Sequence, residues 1–166
     1  TMTTELIKEL LTKFDNEKLV EIITNNLENY HKFEEYLSEE QIKLIFDKLD
    51  NPSEIDGEGI LSWSNEEGEY HRTDGPAIIL PSGTKKWLKN GKLHRIDGHA
   101  IEYLDGSKEW YQNGKLHRID SPAIEYSEGS KEWYQNGKLY RLDGPAIEYL
   151  DGSKEWYIEG TEYTEE

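Results

Sequence analysis

Trp87, Trp110, Trp133 and Trp156 stand 23 residues apart, and the residues between them recur almost unchanged. Laid out by that period, the units run 67–89, 90–112, 113–135 and 136–158, and 159–166 begins a fifth. Trp63 lies 24 residues before Trp87, so Ile60 to Trp63 reads as the end of an earlier unit with one residue inserted. A unit this short cannot bury its own apolar face. Fixed-period self-similarity therefore implies a stacked array in which each unit is covered by its neighbours.

Within a unit the local rules predict short antiparallel strands. Asn90-Gly91, Asn113-Gly114 and Asn136-Gly137 suit two-residue turns with positive φ at both positions, and Asp105-Gly106, Glu128-Gly129 and Asp151-Gly152 are read the same way. Asp74-Gly75-Pro76, repeated at Asp143, then redirects the chain between units. Three strands per unit follow: Ala-Ile-Glu-Tyr, Lys-Glu-Trp-Tyr-Gln and Lys-Leu-His-Arg. A two-residue turn at Asp105-Gly106 sets Ile101 opposite Trp110. The turn at Asn113-Gly114 sets Trp110 opposite His117. One face then carries Ile101, Tyr103, Trp110 and His117, and a slip of one residue would scatter that apolar set.

Residues 1–56 follow a different rule. Leu6, Ile7, Leu10, Leu11 and Phe14 gather on one side at helical spacing, with Thr3 or Thr4 as the cap. Asp15 or Asn16 opens a second helix carrying Leu19, Val20, Ile22, Ile23 and Leu27, and Tyr30, Phe33, Tyr36 and Leu37 mark a further segment. Ser38 with Gln41 forms a capping-box pattern ahead of Ile42, Ile45, Phe46 and Leu49, and Asn51-Pro52 stops the helical phase. The expected architecture is α+β: an N-terminal helical bundle or cap over 1–56, then an elongated antiparallel sheet of stacked hairpins over 57–166.

The balance of 19 basic against 35 acidic residues gives a net charge of −16. That charge repels phosphate backbones and anionic lipid, so neither nucleic acid nor a membrane is expected as a direct partner, and a basic protein is. With no Cys, disulfides and thiolate chemistry are excluded. No apolar run reaches the roughly 20 residues of a membrane span, and the expected location is cytoplasmic.

The pattern W-Y-Q-N-G-K-L-H-R-x-D-G-P-A-I-E-Y-x-D-G-S-K-E resembles the MORN repeat and its bacterial and viral variants over residues 60–166. Arg95, Arg118 and Arg141, with the residues that follow them, stand where MORN units more often carry Gly-x-Gly. The resemblance implies a non-enzymatic scaffold or protein-binding surface. Similar HR-x-DGPA repeats in phage and mobile-element proteins imply a host-directed role, such as an anti-CRISPR-like inhibitor acting in the host cytoplasm on a nucleic-acid-handling defence enzyme. A structural adaptor that joins proteins or dimerises is the alternative.

The register expected from the turns sets Glu102 opposite Glu109, Glu125 opposite Glu132 and Glu148 opposite Glu155. Each such pair would cost about 0.8 kcal/mol at roughly 5 Å in water. A repeated cost points to an acidic ridge kept for a basic partner, standing in for phosphates; a solvated ladder with Arg118 and Arg141 is the bland reading. Tyr111, Tyr134 and Tyr157 are candidate anchors beside it, or else pack on Leu116 and Leu139. The Trp column reads as core. His71, His94 and His117 recur at the same period, but Tyr140 takes the fourth place, which favours structure over a metal column. No nucleotide, zinc-protease or nucleophile-elbow motif is present, and no unique residues break the repeat, so neither catalysis nor a cofactor is expected.

Overall fold

In the computed structural model, which describes residues 2–164, the chain is α+β: four α-helices precede antiparallel strands arranged as stacked hairpins. Thr1 and the last two residues of the expected fifth unit lie outside the described residues. Two compact units are formed, one by residues 2–63 with Ile79–Pro81, the other by Ser64–Ile78 with residues 82–164.

In the first unit, α1 (Thr4–Lys13) starts where Thr3 Oγ1 accepts the Leu6 N–H at 3.3 Å, and α2 (Asn16–Thr24) where Asp15 accepts the Lys18 N–H at 2.9 Å. A 3-10 turn over Leu27–Asn29 leads into α3 (Tyr30–Glu34). The capping box forms as expected on α4 (Glu39–Lys48): Ser38 accepts from Gln41 N–H at 3.2 Å, and the Gln41 side chain accepts from Ser38 N–H at 2.9 Å. Ile7, Ile23, Tyr30, Phe33 and Ile45 bury against one another. Ile55, Leu61 and Trp63 join that same core from a short hairpin, Glu54–Ile55 paired with Leu61–Ser62. Trp63 Nε1 donates to the Asp50 carbonyl at 3.0 Å, so its polar edge is satisfied inside the cluster.

Gly59 fixes how closely that hairpin approaches the 3-10 turn. Its φ is +82°, and a Cβ there would lie 2.5 Å from Glu28 N and 2.6 Å from the Leu27 carbonyl carbon. Backbone cannot yield as a side-chain tip can. Gly59→Ala is therefore expected to cost at least ~2 kcal/mol through overpacking and the forced positive φ. The check is a lower thermal midpoint of the helical signal by circular dichroism.

In the second unit the repeats 90–112 and 113–135 each place two strands in a ladder and two in side hairpins. The ladder runs in chain order through Lys85–Lys86, Ile101–Glu102, Lys108–Glu109, Ile124–Glu125, Lys131–Glu132, Ile147–Glu148 and Lys154–Ile158, each antiparallel to the next. The side hairpins follow the register that Asn-Gly predicts, with Tyr111 opposite Leu116 and Tyr134 opposite Leu139. Asn113 and Gly114 sit at φ of 50° and 79°, as such a turn requires.

Two expectations are corrected. In repeats 90–112 and 113–135 the Lys-Glu-Trp-Tyr-Gln segment is not one strand, because the Trp110 N–H turns away to the Ala123 carbonyl at 2.8 Å while its own carbonyl accepts from His117 N–H at 3.0 Å. Trp110 is thus the point where the chain leaves the ladder for the side hairpin. In the last repeat Lys154–Ile158 is continuous, as expected.

The second correction concerns register. Ile101 pairs with Glu109 and Glu102 with Lys108, the arrangement one residue away from the expected one. The cause is a three-residue loop, Leu104-Asp105-Gly106. Tyr103 and Ser107 close it with a 3.0 Å bond, Gly106 N–H returns to the Tyr103 carbonyl at 3.0 Å, and Gly106 holds φ at 90°. That is a type I turn followed by a left-handed glycine. Asp105 accepts the Ser107 N–H at 2.8 Å and fixes the loop.

Candidate partner-binding surface

The observed register changes the chemistry of the acidic residues. On one face Glu102 lies between Lys85 and Lys108, Glu125 between Lys108 and Lys131, and Glu148 between Lys131 and Lys154. The column therefore alternates in sign. Each rung contributes roughly 0.2–1 kcal/mol where repulsion was expected. Arg118 adds a 2.7 Å bond to Glu125 and Arg141 a 2.9 Å bond to Glu148.

Glu109, Glu132 and Glu155 stand opposite isoleucines and are each clasped by two tyrosines. Tyr103 and Tyr111 both donate to Glu109 at 2.8 Å. Tyr126 and Tyr134 donate to Glu132 at 3.0 and 2.9 Å, and Tyr149 and Tyr157 to Glu155 at 3.0 Å each. The nine residues singled out from sequence thus come together within the repeats, with their polar groups engaged inside the chain. Tyr111, Tyr134 and Tyr157 are half-buried.

These clasps make the array sensitive to base. Burial first, then the hydrogen bond to its carboxylate, pushes Tyr103 and Tyr126 up to about 12 and raises Tyr111 and Tyr134 further. Below the unfolded value of 10.0 tyrosine is neutral in both states, and the stabilisation is complete. Above it the unfolded chain ionises first, so stability falls as pH rises through 10 towards 12. The expected result is that part of the tyrosinate absorbance appears late, near pH 12, together with loss of the β signal. Full ionisation near pH 10 with the array still folded would remove the clasps from the account.

Trp87, Trp110, Trp133 and Trp156 are half-buried, a correction to their reading as plain core, and the first three each carry a guanidinium. Arg95, Arg118 and Arg141 lie 4.2, 3.8 and 4.0 Å from the ring centres of Trp87, Trp110 and Trp133. Each Arg also donates Nη1 to the carbonyl four residues on, at His99, Pro122 and Pro145. The Nε of Arg95 and Arg141 bonds Asp97 and Asp143 at 3.1 and 3.0 Å.

One repeat departs from this pattern. Ser121 stands where the others have Gly75, Gly98 and Gly144, whose absent Cβ would meet the guanidinium carbon at 3.0, 3.0 and 2.9 Å. There Asp120 moves to φ +61° and the Arg Nε–Asp bond of the other repeats is missing, while Arg118 Nη1 keeps a bond to Glu125 like that of Arg141 to Glu148. Ser121→Gly is expected to return Asp120 to Arg118 and raise stability by about 1 kcal/mol, the combined cost of a left-handed Asp and a lost surface pair. Gly144→Ser should lower it by a similar amount, read as shifts of opposite sign in urea midpoint.

The histidines join neighbouring repeats. Nδ1 of His71, His94 and His117 accepts the N–H of Asn90, Asn113 and Asn136, each at 3.1 Å. Nδ1 can accept only when the ring proton sits on Nε2. Among the described residues no cluster of three or more His, Asp or Glu is placed to hold a metal ion, and no helix is long and apolar enough to cross a membrane.

Sequence reasoning passed over one feature of the surface. Ile96, Ile119 and Leu142 occupy the variable position of the Arg-x-Asp turn and are 82, 64 and 67 % exposed. The next residues, Asp97 and Asp143, have side chains 86 % exposed. Neighbouring turns share grooves: Arg72–Gly75 and His94–Asp97 flank one of about 460 Å³ over Trp87, and Arg118–Pro122 and Tyr140–Asp143 flank one of about 420 Å³ over Trp133. The signal was present as an apolar residue kept at period 23 inside a turn, where solvent exposure is the rule.

A scan against protein-family models found no match, and searches of curated proteins and of solved structures found none either.

Proposed function

We propose that the chain is a non-enzymatic protein-binding repeat protein whose partner is basic. The observation that carries this reading is the pair of outward Asp97 and Asp143 carboxylates, each set beside an exposed aliphatic residue at the same corner of its repeat. A catalytic site needs a constellation that identical repeats do not supply. A net charge of −16 steers a basic surface towards the array, while shape and apolar contact select it. The resemblance to MORN repeats supports the same reading. So does the resemblance of the HR-x-DGPA motif to phage and mobile-element repeats, which extends it to an anti-CRISPR-like inhibitor that blocks a nucleic-acid-handling enzyme in the host cytoplasm.

The test is capture on the immobilised full chain from a bacterial lysate, followed by elution with duplex DNA in one arm and with salt in the other. Inhibition by phosphate mimicry requires that DNA displaces the retained protein and that binding weakens steeply with ionic strength. A retained protein indifferent to both favours the adaptor, which the exposed Ile96, Ile119 and Leu142 also suit. Retention of nothing rejects both.

A further inference from the structure

We infer that Ile96, Ile119 and Leu142 form the seat of a basic amphipathic α-helix of the partner, with one apolar residue per heptad and lysine or arginine beside it. The inference rests on the protein-binding reading and names the shape that the array receives.

Exposure gives the first argument. Single aliphatic residues on a surface are ordinary, but three at 64–82 % exposure, each at the same corner of consecutive repeats, make a continuous row. Thr73 occupies the corresponding corner before Ile96, so the row has three apolar positions.

Spacing gives the second. Each repeat adds two ladder strands, and strands lie about 4.8 Å apart, so successive corners are about 10 Å apart. Seven residues of α-helix rise about 10.5 Å. Across three corners the two spacings stay within roughly 2 Å. An extended strand covers about 10 Å in three residues, but its side chains alternate, so every second anchor would point away.

Charge gives the third. Asp97 and Asp143 flank the apolar corners on the outside, while the arginines behind them sit over tryptophan rings, their side chains only 26 and 21 % exposed for Arg95 and Arg141. The outward face is therefore apolar and acidic. A second copy of this chain is a poor occupant: its own helical segment, residues 1–56, carries 6 basic against 14 acidic residues. A helix with lysines beside each apolar residue complements both elements of the row.

The probe is a labelled three-heptad helical peptide with one leucine per heptad flanked by lysines, titrated onto the full chain by fluorescence anisotropy. A second peptide of the same composition has its leucines out of heptad register, and a third presents the same lysines on a proline-rich backbone. The in-register helix should bind at least about tenfold more tightly than either. Ile96→Asn/Ile119→Asn/Leu142→Asn, which leaves the charge unchanged, should abolish that preference; the single Ile119→Asn variant serves if the triple does not melt cooperatively. Equal binding of all peptides, or an undiminished preference in the variant, reduces the effect to general polycation attraction and overturns the inference. Tighter binding of the proline-rich peptide overturns the helix. Failure here is separable from failure of the protein-binding reading: a triple-Asn variant that captures partners undiminished rejects the row alone.

Discussion

Removal of residues 113–135 should leave a folded, shorter array, whereas removal of 113–124 should abolish its cooperative unfolding. The whole-unit deletion regenerates every bond between repeats. His94 meets the N–H of Asn136 in place of Asn113, Trp110 meets the carbonyl of Ala146 in place of Ala123, and Glu109 faces Ile147 in place of Ile124. Lys108 likewise finds Glu148 where Glu125 stood. The half-unit deletion removes the Asn113-Gly114 turn, His117, Arg118, Ala123 and Ile124 together. Trp110 then loses both its stacked guanidinium and its carbonyl acceptor. Each buried polar group left unpaired costs about 1–3 kcal/mol against a total stability of about 5–15 kcal/mol. Urea unfolding followed by β signal and by Trp fluorescence distinguishes the two. A half-unit deletion with an unchanged, coincident transition would disprove the 23-residue structural unit.

The second large effect concerns Glu109, Glu132 and Glu155. The register expected from sequence made neutralisation of the glutamates harmless or stabilising, because like charges were set face to face. The observed register reverses the sign. A carboxylate accepts both tyrosine hydroxyls as charge-assisted bonds; the amide of Gln offers one neutral acceptor and forces the other hydroxyl to turn round. Conversion to Gln should cost about 1 kcal/mol at each of Glu109 and Glu132, and less at Glu155, whose tyrosines are raised in pKa by the hydrogen bond ahead of burial. The triple variant should melt roughly 5–10 °C lower. Glu102→Gln, Glu125→Gln and Glu148→Gln should cost less each, since surface ion pairs are worth roughly 0–1 kcal/mol. Partner binding by the six-Gln variant must therefore be scored against its residual folded fraction.

Why one turn was legible and the other was not comes down to a single residue. Asn-Gly with both φ positive has one common hairpin use, and Tyr111 opposite Leu116 followed from it. Asp-Gly is ambiguous, since it fits the two centres of a tight turn and equally the last two positions of a three-residue loop. Ser107 decides the matter by giving its N–H to Asp105, and a Ser in that place carries no strong signal of its own. Because side chains alternate along a strand, that one-residue difference moved every glutamate to a new neighbour. The helical segment was easier. Ser38 with Gln41, and the stripe of Ile7, Ile23, Phe33 and Ile45, are local patterns that packing did not override. The row of Ile96, Ile119 and Leu142 escaped notice because aliphatic residues are assigned to a core by default.

The histidine and serine side-chain bonds that join repeats have a direction. The imidazole of His94 comes earlier in the chain than the Asn113 amide it receives, by 19 residues, and the Ser107 hydroxyl precedes the Ser127 amide by 20. In these bonds the acceptor side chain is synthesised first and its donor follows within one period, and the backbone bonds that run the other way, such as Trp110 N–H to the Ala123 carbonyl, also close within one period. A chain emerging from the ribosome can thus lay each new turn on a repeat already ordered, with no wait for distant sequence. Loops this short close at small entropic cost, and sheets whose contacts are so local fold faster than sandwiches of equal strand number. Growth of the array is therefore expected to be vectorial, with its leading edge about one repeat behind synthesis.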